Sequence, residues 1–299
     1  MLQGGVFMSV IEINHLTKDY GNKKGIFDVS FHIEKGETVG FLGPNGAGKT
    51  TTIRHLLGFI QPQSGTVSIL GKNCFDDMNM IHHQLGYLPG EIAFMDDMTG
   101  DEFIRFIAKM KNMKDTSRIK ELIDFFELNP SGKIKKMSKG MKQKIGLVLA
   151  FMNDSDIYIL DEPTSGLDPL MQNKFVQLIQ QEKKKGKTIL MSSHIFEEVE
   201  NTCDRVIMIK DGKIIADESM EQLKNERHKH YDITFQTIDE ATRFSKLYSC
   251  KMHDRYVEFV TKDDINHLIH ILQNYLISDM NIKSQSLEEL FLHYYGGNK

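Results

Sequence analysis

The sequence predicts an α/β fold built as two domains, and three observations predict it. Short, wholly apolar runs end in glycines or paired carboxylates, alternating apolar runs flank them early in the chain, and the pattern changes after Glu226. A length of 299 residues itself favours about two domains. With 40% hydrophobic and 26% charged residues the composition is that of a packed globular protein.

In chain order, residues 1–7 lack the basic leader and small-residue cleavage site of a targeting peptide. Gln3-Gly4-Gly5-Val6 can be back-translated as CAAGGAGGTGTT, a purine-rich ribosome-binding sequence, so Met8 is the expected start and 1–7 a translated leader. Residues 10–13, the alternating 29–33 and 66–70 read as strands of an antiparallel β edge subdomain. Residues 38–42 form an apolar run suited to a buried strand, and 51–58 can continue as a helix.

The turn between that strand and helix reads Gly43-Pro44-Asn45-Gly46-Ala47-Gly48-Lys49-Thr50-Thr51, a phosphate-binding loop. Without a Cβ, its glycines can turn backbone N–H groups toward phosphate oxygens, and the helix N-terminus adds about half a positive charge. Lys49 would reach the β- and γ-phosphates, and the hydroxyl of Thr50 suits Mg²⁺. Such a pattern arises by chance in roughly one per cent of chains of this size, fewer with the right flanks.

Residues from about 91 change character. Thr99 with Glu102 makes a capping box before Phe103, Ile104, Ile107 and Met110, and Ile119, Leu122, Ile123 and Phe126 repeat at helical spacing, predicting a helical subdomain over about 91–150. Residues 157–160 are a further buried strand that delivers Asp161 and Glu162 to its carboxyl end, where open α/β sheets bind ligands. Asp161 is assigned to Mg²⁺ and Glu162 to orienting or deprotonating an attacking water. Residues 188–191 form another buried strand, and 206–209 and 213–216 flank Asp211-Gly212, a strong hairpin turn.

After Glu226, Arg227-His228-Lys229-His230 reads as a polar linker rather than a metal site, because His-x-His has no further ligands beside it. Alternation at Tyr231, Ile233 and Phe235, a strand at Val257 and Phe259, and an amphipathic helix through Ile265, Leu268, Ile269 and Leu272 predict a small C-terminal accessory α/β domain of ferredoxin-like type over 227–299. Ser286 with Glu289 is one more capping box, ahead of aromatic residues 291–295.

Several pieces together resemble the ATP-binding cassette (ABC) family. Residues 136–141, Lys-Met-Ser-Lys-Gly-Met, look like its signature loop, 165–168 its D-loop and His194 its switch histidine, while Tyr20 matches the aromatic residue that stacks on adenine. The order and spacing fit from about residue 9 to 226. The resemblance implies a P-loop NTPase cassette over 8–226 that binds and hydrolyses Mg-ATP. Two cassettes would close head to tail, as a homodimer or heterodimer. Ser138 and Gly140 of one cassette would then meet the γ-phosphate held by the other, with Asp168 at the same interface and His194 holding the γ-phosphate and Glu162 in register. Lys49, Glu162 and His194 are the implied catalytic set, and Thr50 and Asp161 the metal ligands.

Three positions depart from the family pattern. Lys139 and Met141 replace a signature glycine and glutamine, a variant associated with bacterial exporter cassettes whose membrane half is a separate chain. Gly90 stands where the family places its Q-loop glutamine, so Glu91 could supply a metal oxygen only if the loop shifts by one residue.

Composition narrows the partners. No apolar run approaches the roughly 18 residues of a membrane-spanning helix. Three isolated cysteines suit a reducing compartment, and a net charge of −4 with no broad basic face argues against nucleic acid. The expectation is therefore the ATPase subunit of a bacterial exporter of drugs, antibiotics or peptides. It would be peripheral at the cytoplasmic face of the membrane and would pair with a multi-span permease. The alternative is a soluble ABC ATPase acting on ribosomes or DNA, disfavoured by the single cassette and the lack of sustained heptads.

Overall fold

The computed structural model describes residues 9–226, 229–261 and 265–290. The expected leader, His228 of the His-x-His pair and the aromatic tail at 291–295 lie outside the described residues. The chain divides into two compact units, Met1–Met220 and Glu221–Lys299. The division falls at the start of a helix spanning 220–226, ahead of the expected boundary after Glu226.

The first unit opens with β1 (Ser9–Asp19), β2 (Gly25–Glu34), β3 (Thr38–Leu42), α1 (Lys49–Leu56), β4 (Ser64–Ile69), β5 (Lys72–Asn73), α2 (Met78–His82) and β6 (Leu85–Leu88). There follow α3 (Gly100–Met110), α4 (Ser117–Phe125), α5 (Lys139–Phe151), β7 (Ile157–Asp161) and α6 (Pro169–Lys184). The unit closes through β8 (Thr188–Ser193), α7 (Phe196–Thr202), β9 (Arg205–Lys210) and β10 (Lys213–Ser219), and α8 (Met220–Glu226) stands at the division.

Two sheets organise this unit. The antiparallel edge sheet runs β2-β1-β4-β5, containing the three strands expected at 10–13, 29–33 and 66–70 and adding the short β5. The six-stranded sheet runs β10-β9-β3-β8-β7-β6, parallel throughout except for the terminal β9–β10 hairpin. Every residue of β3, β7 and β8 is buried, because a parallel sheet is covered on both faces. The β9–β10 turn places Asp211 and Gly212 at φ 49° and 75°, the left-handed pair that a two-residue hairpin of matching twist requires.

The helical subdomain forms as its caps dictate. The Thr99 hydroxyl accepts from the Glu102 amide while the Glu102 carboxylate accepts from the Thr99 amide. The helix α3 then buries Phe103, Ile104 and Ala108, and α4 buries Ile119 and Leu122. Strand β6 and the short α2 were not foreseen, since Gly86 interrupts one apolar run and five residues are too few for a periodicity.

The second unit contains β11 (Lys229–Phe235), α9 (Ile238–Ser245), β12 (Cys250–His253), β13 (Tyr256–Thr261), α10 (Ile265–Leu272) and β14 (Ile277–Ser284). Its sheet order, β12-β13-β11-β14 and all antiparallel, is the βαββαβ ferredoxin-like plan. Tyr231, Ile233 and Phe235 pack with Phe244, Val257 and Phe259, Tyr231 stacking on Phe259 at 5.1 Å. The strands β12 and β14 escaped the sequence pattern because they hold few buried apolar side chains.

Candidate functional site

Strand order places the site. β8 lies between β3 and β7, so Ser192 pairs with Phe41 on one side and Asp161 on the other. The carboxyl ends of three buried strands therefore converge on one cleft, the place where open parallel sheets bind ligands.

The loop after β3 is shaped by its glycines. Gly46 and Gly48 have φ of 81° and 115°, and a Cβ on Gly48 would stand 2.6 Å from the Ile26 side chain. Gly48 caps the N-terminus of α1, leaving that helix end open toward the cleft. The Lys49 ammonium, buried at 6% exposure, donates to the Gly43 carbonyl at 2.6 Å and the Pro44 carbonyl at 3.3 Å, and lies 3.5 Å from Glu162 Oε1. Ala47 is buried, and its carbonyl accepts from the Gly212 amide, tying the loop to the β9–β10 turn.

A chain of hydrogen bonds crosses the strand ends. Thr50 Oγ1 donates to Asp161 Oδ2 at 2.8 Å, Ser192 Oγ donates to Asp161 Oδ1 at 2.5 Å, and the Glu162 amide donates to Ser192 Oγ at 3.0 Å. His194 Nδ1 stands 2.5 Å from Glu162 Oε2. Glu162 itself has φ 52°, left-handed backbone that a non-glycine residue keeps only where its surroundings hold it there.

These residues line one cavity of about 1000 Å³: Lys49, Thr50, Thr51, Asp161, Glu162 and His194 with Pro44, Asn45, Gly46 and Gly48 of the loop. Glu91 is on its wall as well, but it is Gly90 whose Cβ position lies 3.2 Å from Asp161 Oδ2. Burial, helped by the negative charge of Asp161, pushes the Tyr87 phenol at the cavity wall up to about 12, so it remains a neutral hydroxyl.

Gly43 and Ala47 belong to the loop without lining that cavity, and four further expected residues stand elsewhere. Tyr20 is exposed just past the end of β1, Ser138 caps α5 by accepting from the Met141 amide, Asp168 caps α6 by accepting from the Met171 amide, and Gly140 lies against the Gly166 carbonyl. None of the four lines the cavity.

Four side chains at the site were given no role there by the sequence. Ser192 holds Asp161, and the buried Gln143 donates to the Pro163 carbonyl at 2.7 Å and the Glu162 carbonyl at 3.3 Å. Arg54 and Lys139 add positive charge to the cavity wall, and only Lys139 carried a signal, its departure from the signature pattern.

The oxygen donors present fit a hydrated Mg²⁺. A hydroxyl and a carboxylate meet at one point, as in sites where a small hard cation keeps most of its water. The N–H groups at the start of α1 and the Lys49 ammonium fit a polyphosphate.

Comparison with known proteins agrees with this chemistry. The family profile described as "ABC transporter" matches residues 26–165. The uncharacterized ABC transporter ATP-binding protein YcbN of Bacillus subtilis is 33% identical over 97% of this chain and 98% of its own length. The bacitracin transport ATP-binding protein BcrA of Bacillus licheniformis is 36% identical over 78% of this chain and 76% of its own. Among solved structures, an ATP-binding subunit of an ABC transporter superposes with TM-score 0.65 at 32% identity, covering 73% of this chain and 92% of that one. The dimeric ABC transporter cassette MJ0796 superposes with TM-score 0.64 at 24% identity over 70% of this chain and 98% of its own, a likeness of fold.

Proposed function

The chain belongs to the ABC transporter family as an ATP-binding subunit with ATPase activity, and from that premise we propose that it powers export of a drug, antibiotic or peptide through a separate multi-span permease. The observation that carries the ATPase half is the unbroken relay Thr50–Asp161–Ser192–Glu162–His194, set around one cavity with Lys49. Support for export comes from the relative BcrA, a bacitracin transport ATP-binding protein.

Each residue has a task its position supports. Loop amides and Lys49 bind the phosphates, Thr50 and Asp161 hold Mg²⁺, Glu162 takes the proton of the attacking water, and His194 orients Glu162. When bound, Mg²⁺ would neutralise charge on the phosphate oxygens. Ser138 and Gly140, exposed or partly exposed at the start of α5, are free to meet nucleotide held by a second cassette, and Tyr20 is exposed enough to stack on a base. Glu91, on the wall of the same cavity, is a further acidic candidate for the metal site. The proposed place of work is the cytoplasmic face of the membrane. Among the described residues no helix is long and apolar enough to cross it.

The deciding experiment traps tagged Glu162→Gln protein with Mg-ATP in its native cell and analyses gently solubilised membranes by mass spectrometry. A stoichiometric multi-span membrane protein is expected. Ribosomal or DNA-bound partners without a membrane protein would overturn the export reading in favour of a soluble ABC ATPase.

A further inference from the structure

The turn that carries Glu162 is gripped from one side by α5. One turn into that helix, Gln143 donates to the carbonyls of Glu162 and Pro163. Four residues earlier, and so on the same helical face, Lys139 Nζ donates to Ser165 Oγ at 2.9 Å. The contact is close along its length. A Cβ on Gly166 would meet Lys139 Cγ and Cδ at 2.9 Å, and one on Gly140 would meet the Gly166 carbonyl at 2.8 Å. Within the turn, the Ser165 amide donates to the Glu162 carbonyl and the Leu167 amide to the Thr164 carbonyl.

Two features make this more than a surface contact. Glu162 is left-handed, a conformation costing about 1 kcal/mol or more that persists only if both ends of its turn are held. Lys139 also sits at the N-terminus of a helix, where a cation opposes the dipole. Among the described residues its ammonium makes no ion pair with a carboxylate and spends its hydrogen bond on Ser165. Placing a cation there costs local stability, and the contact it makes is with the catalytic turn.

We propose that Lys139 and Gln143 form a two-point clamp in which the signature helix positions Glu162 of its own chain. Lys139 is a positioning residue, acting through Ser165 and the 162–166 turn on the aim of the Glu162 carboxylate. Any shift of α5 then moves Glu162 in the same chain, which gives the helical subdomain a direct mechanical hold on hydrolysis. The inference rests on Glu162 being the residue that handles the water.

The test measures ATP hydrolysis for Lys139→Met, Ser165→Ala, their combination, Lys139→Arg and Glu162→Gln, with thermal melts confirming folding. The clamp predicts kcat about three- to ten-fold lower in Lys139→Met and in Ser165→Ala, KM for ATP within about two-fold, and a double variant no worse than either single one. Lys139→Arg should recover most of kcat. In the protein without nucleotide, hydrogen exchange at the Ser165 and Leu167 amides should rise several-fold in Lys139→Met, which a role toward a second cassette would not produce. Unchanged kcat and exchange, additive losses, or a raised KM at constant kcat would overturn the clamp. If Glu162→Gln keeps its turnover, the catalytic reading fails instead. Ser165→Ala is a mild change at a half-buried site, so the proposal stays testable even if Lys139→Met folds poorly.

Discussion

The carboxylate of Glu162 is held at both oxygens, Oε2 standing 2.5 Å from His194 Nδ1 and Oε1 3.5 Å from Lys49 Nζ. A carboxylate placed between an imidazole and a cation has its orientation set before any water arrives. Glu162→Gln should therefore lower ATP turnover by about 10²-fold or more while leaving ATP binding intact, because the phosphate loop is untouched. His194→Ala should give a smaller loss, and the double variant little beyond Glu162→Gln, since residues acting as one unit are not additive. Steady-state phosphate release beside equilibrium binding of a fluorescent ATP analogue checks both, and normal turnover in Glu162→Gln would remove it from the role.

Asp161 accepts from Thr50 and Ser192 at once and is 1% exposed. In Asp161→Asn one oxygen becomes a donor, which conflicts with either the Thr50 or the Ser192 hydroxyl and removes the charge a cation needs. The Mg²⁺ concentration for half-maximal nucleotide binding should rise by about ten-fold or more. A Mg²⁺ titration at saturating nucleotide reads it, and an unshifted midpoint would take Asp161 out of the metal site.

Gly48 and Gly21 separate strain from collision. Both have positive φ, but a Cβ on Gly48 would strike the Ile26 side chain, whereas one on Gly21 would meet nothing within 4 Å. Gly21→Ala should cost about 1 kcal/mol, the left-handed penalty alone, and leave ATP affinity unchanged. Gly48→Ala should cost more and weaken ATP binding by deforming the loop. Urea denaturation with a nucleotide titration distinguishes them.

Glu182 is fully buried on α6, paired with Arg118 of α4 at 2.6 Å and Lys185 at 2.9 Å. Arg118→Met strands part of a buried charge. The expected loss is roughly 2–3 kcal/mol, below the roughly 3–5 kcal/mol for breaking a wholly buried pair, because Lys185 remains. Adding Glu182→Leu should recover stability, and failure to do so in urea denaturation would show that Arg118 acts mainly through packing.

His55 is 1% exposed, its Nδ1 2.8 Å from the Thr51 carbonyl and its Nε2 without a hydrogen-bond partner among the described residues. Burial holds its pKa below the ordinary 6.5, opposed by the backbone hydrogen bond and helped by Lys18. The unfolded chain therefore binds the proton first. The stability His55 contributes is present above about pH 6.5 and lost as pH falls through the folded value. His55→Gln should flatten the fall in unfolding free energy on that acid side, and an unchanged slope would assign it to other groups.

Much of this molecule is legible residue by residue. The loop from Gly43 to Thr50, the strand ending in Asp161 and Glu162, the Thr99 capping box and the Asp211-Gly212 turn depend on chemistry contained in a few consecutive residues, and each is found where its local sterics require. The second unit was partly legible: Tyr231, Ile233 and Phe235 announced one strand, Val257 and Phe259 another, and Ile265 to Leu272 a helix, while β12 and β14 hold too few buried residues to show a period.

By itself the sequence marked the candidate nucleotide-handling groups and the order in which the chain presents them. Only the tertiary structure decided which groups meet. Threading β8 between β3 and β7 sets Ser192 against Asp161, packing of α5 puts Gln143 and Lys139 on the 162–166 turn, and the left-handed bend at Glu162 turns its carboxylate to His194 and Lys49. The reason is physical: a motif is written in neighbours along the chain, but strand order and helix placement follow from burying both faces of a parallel sheet, a condition on the whole unit.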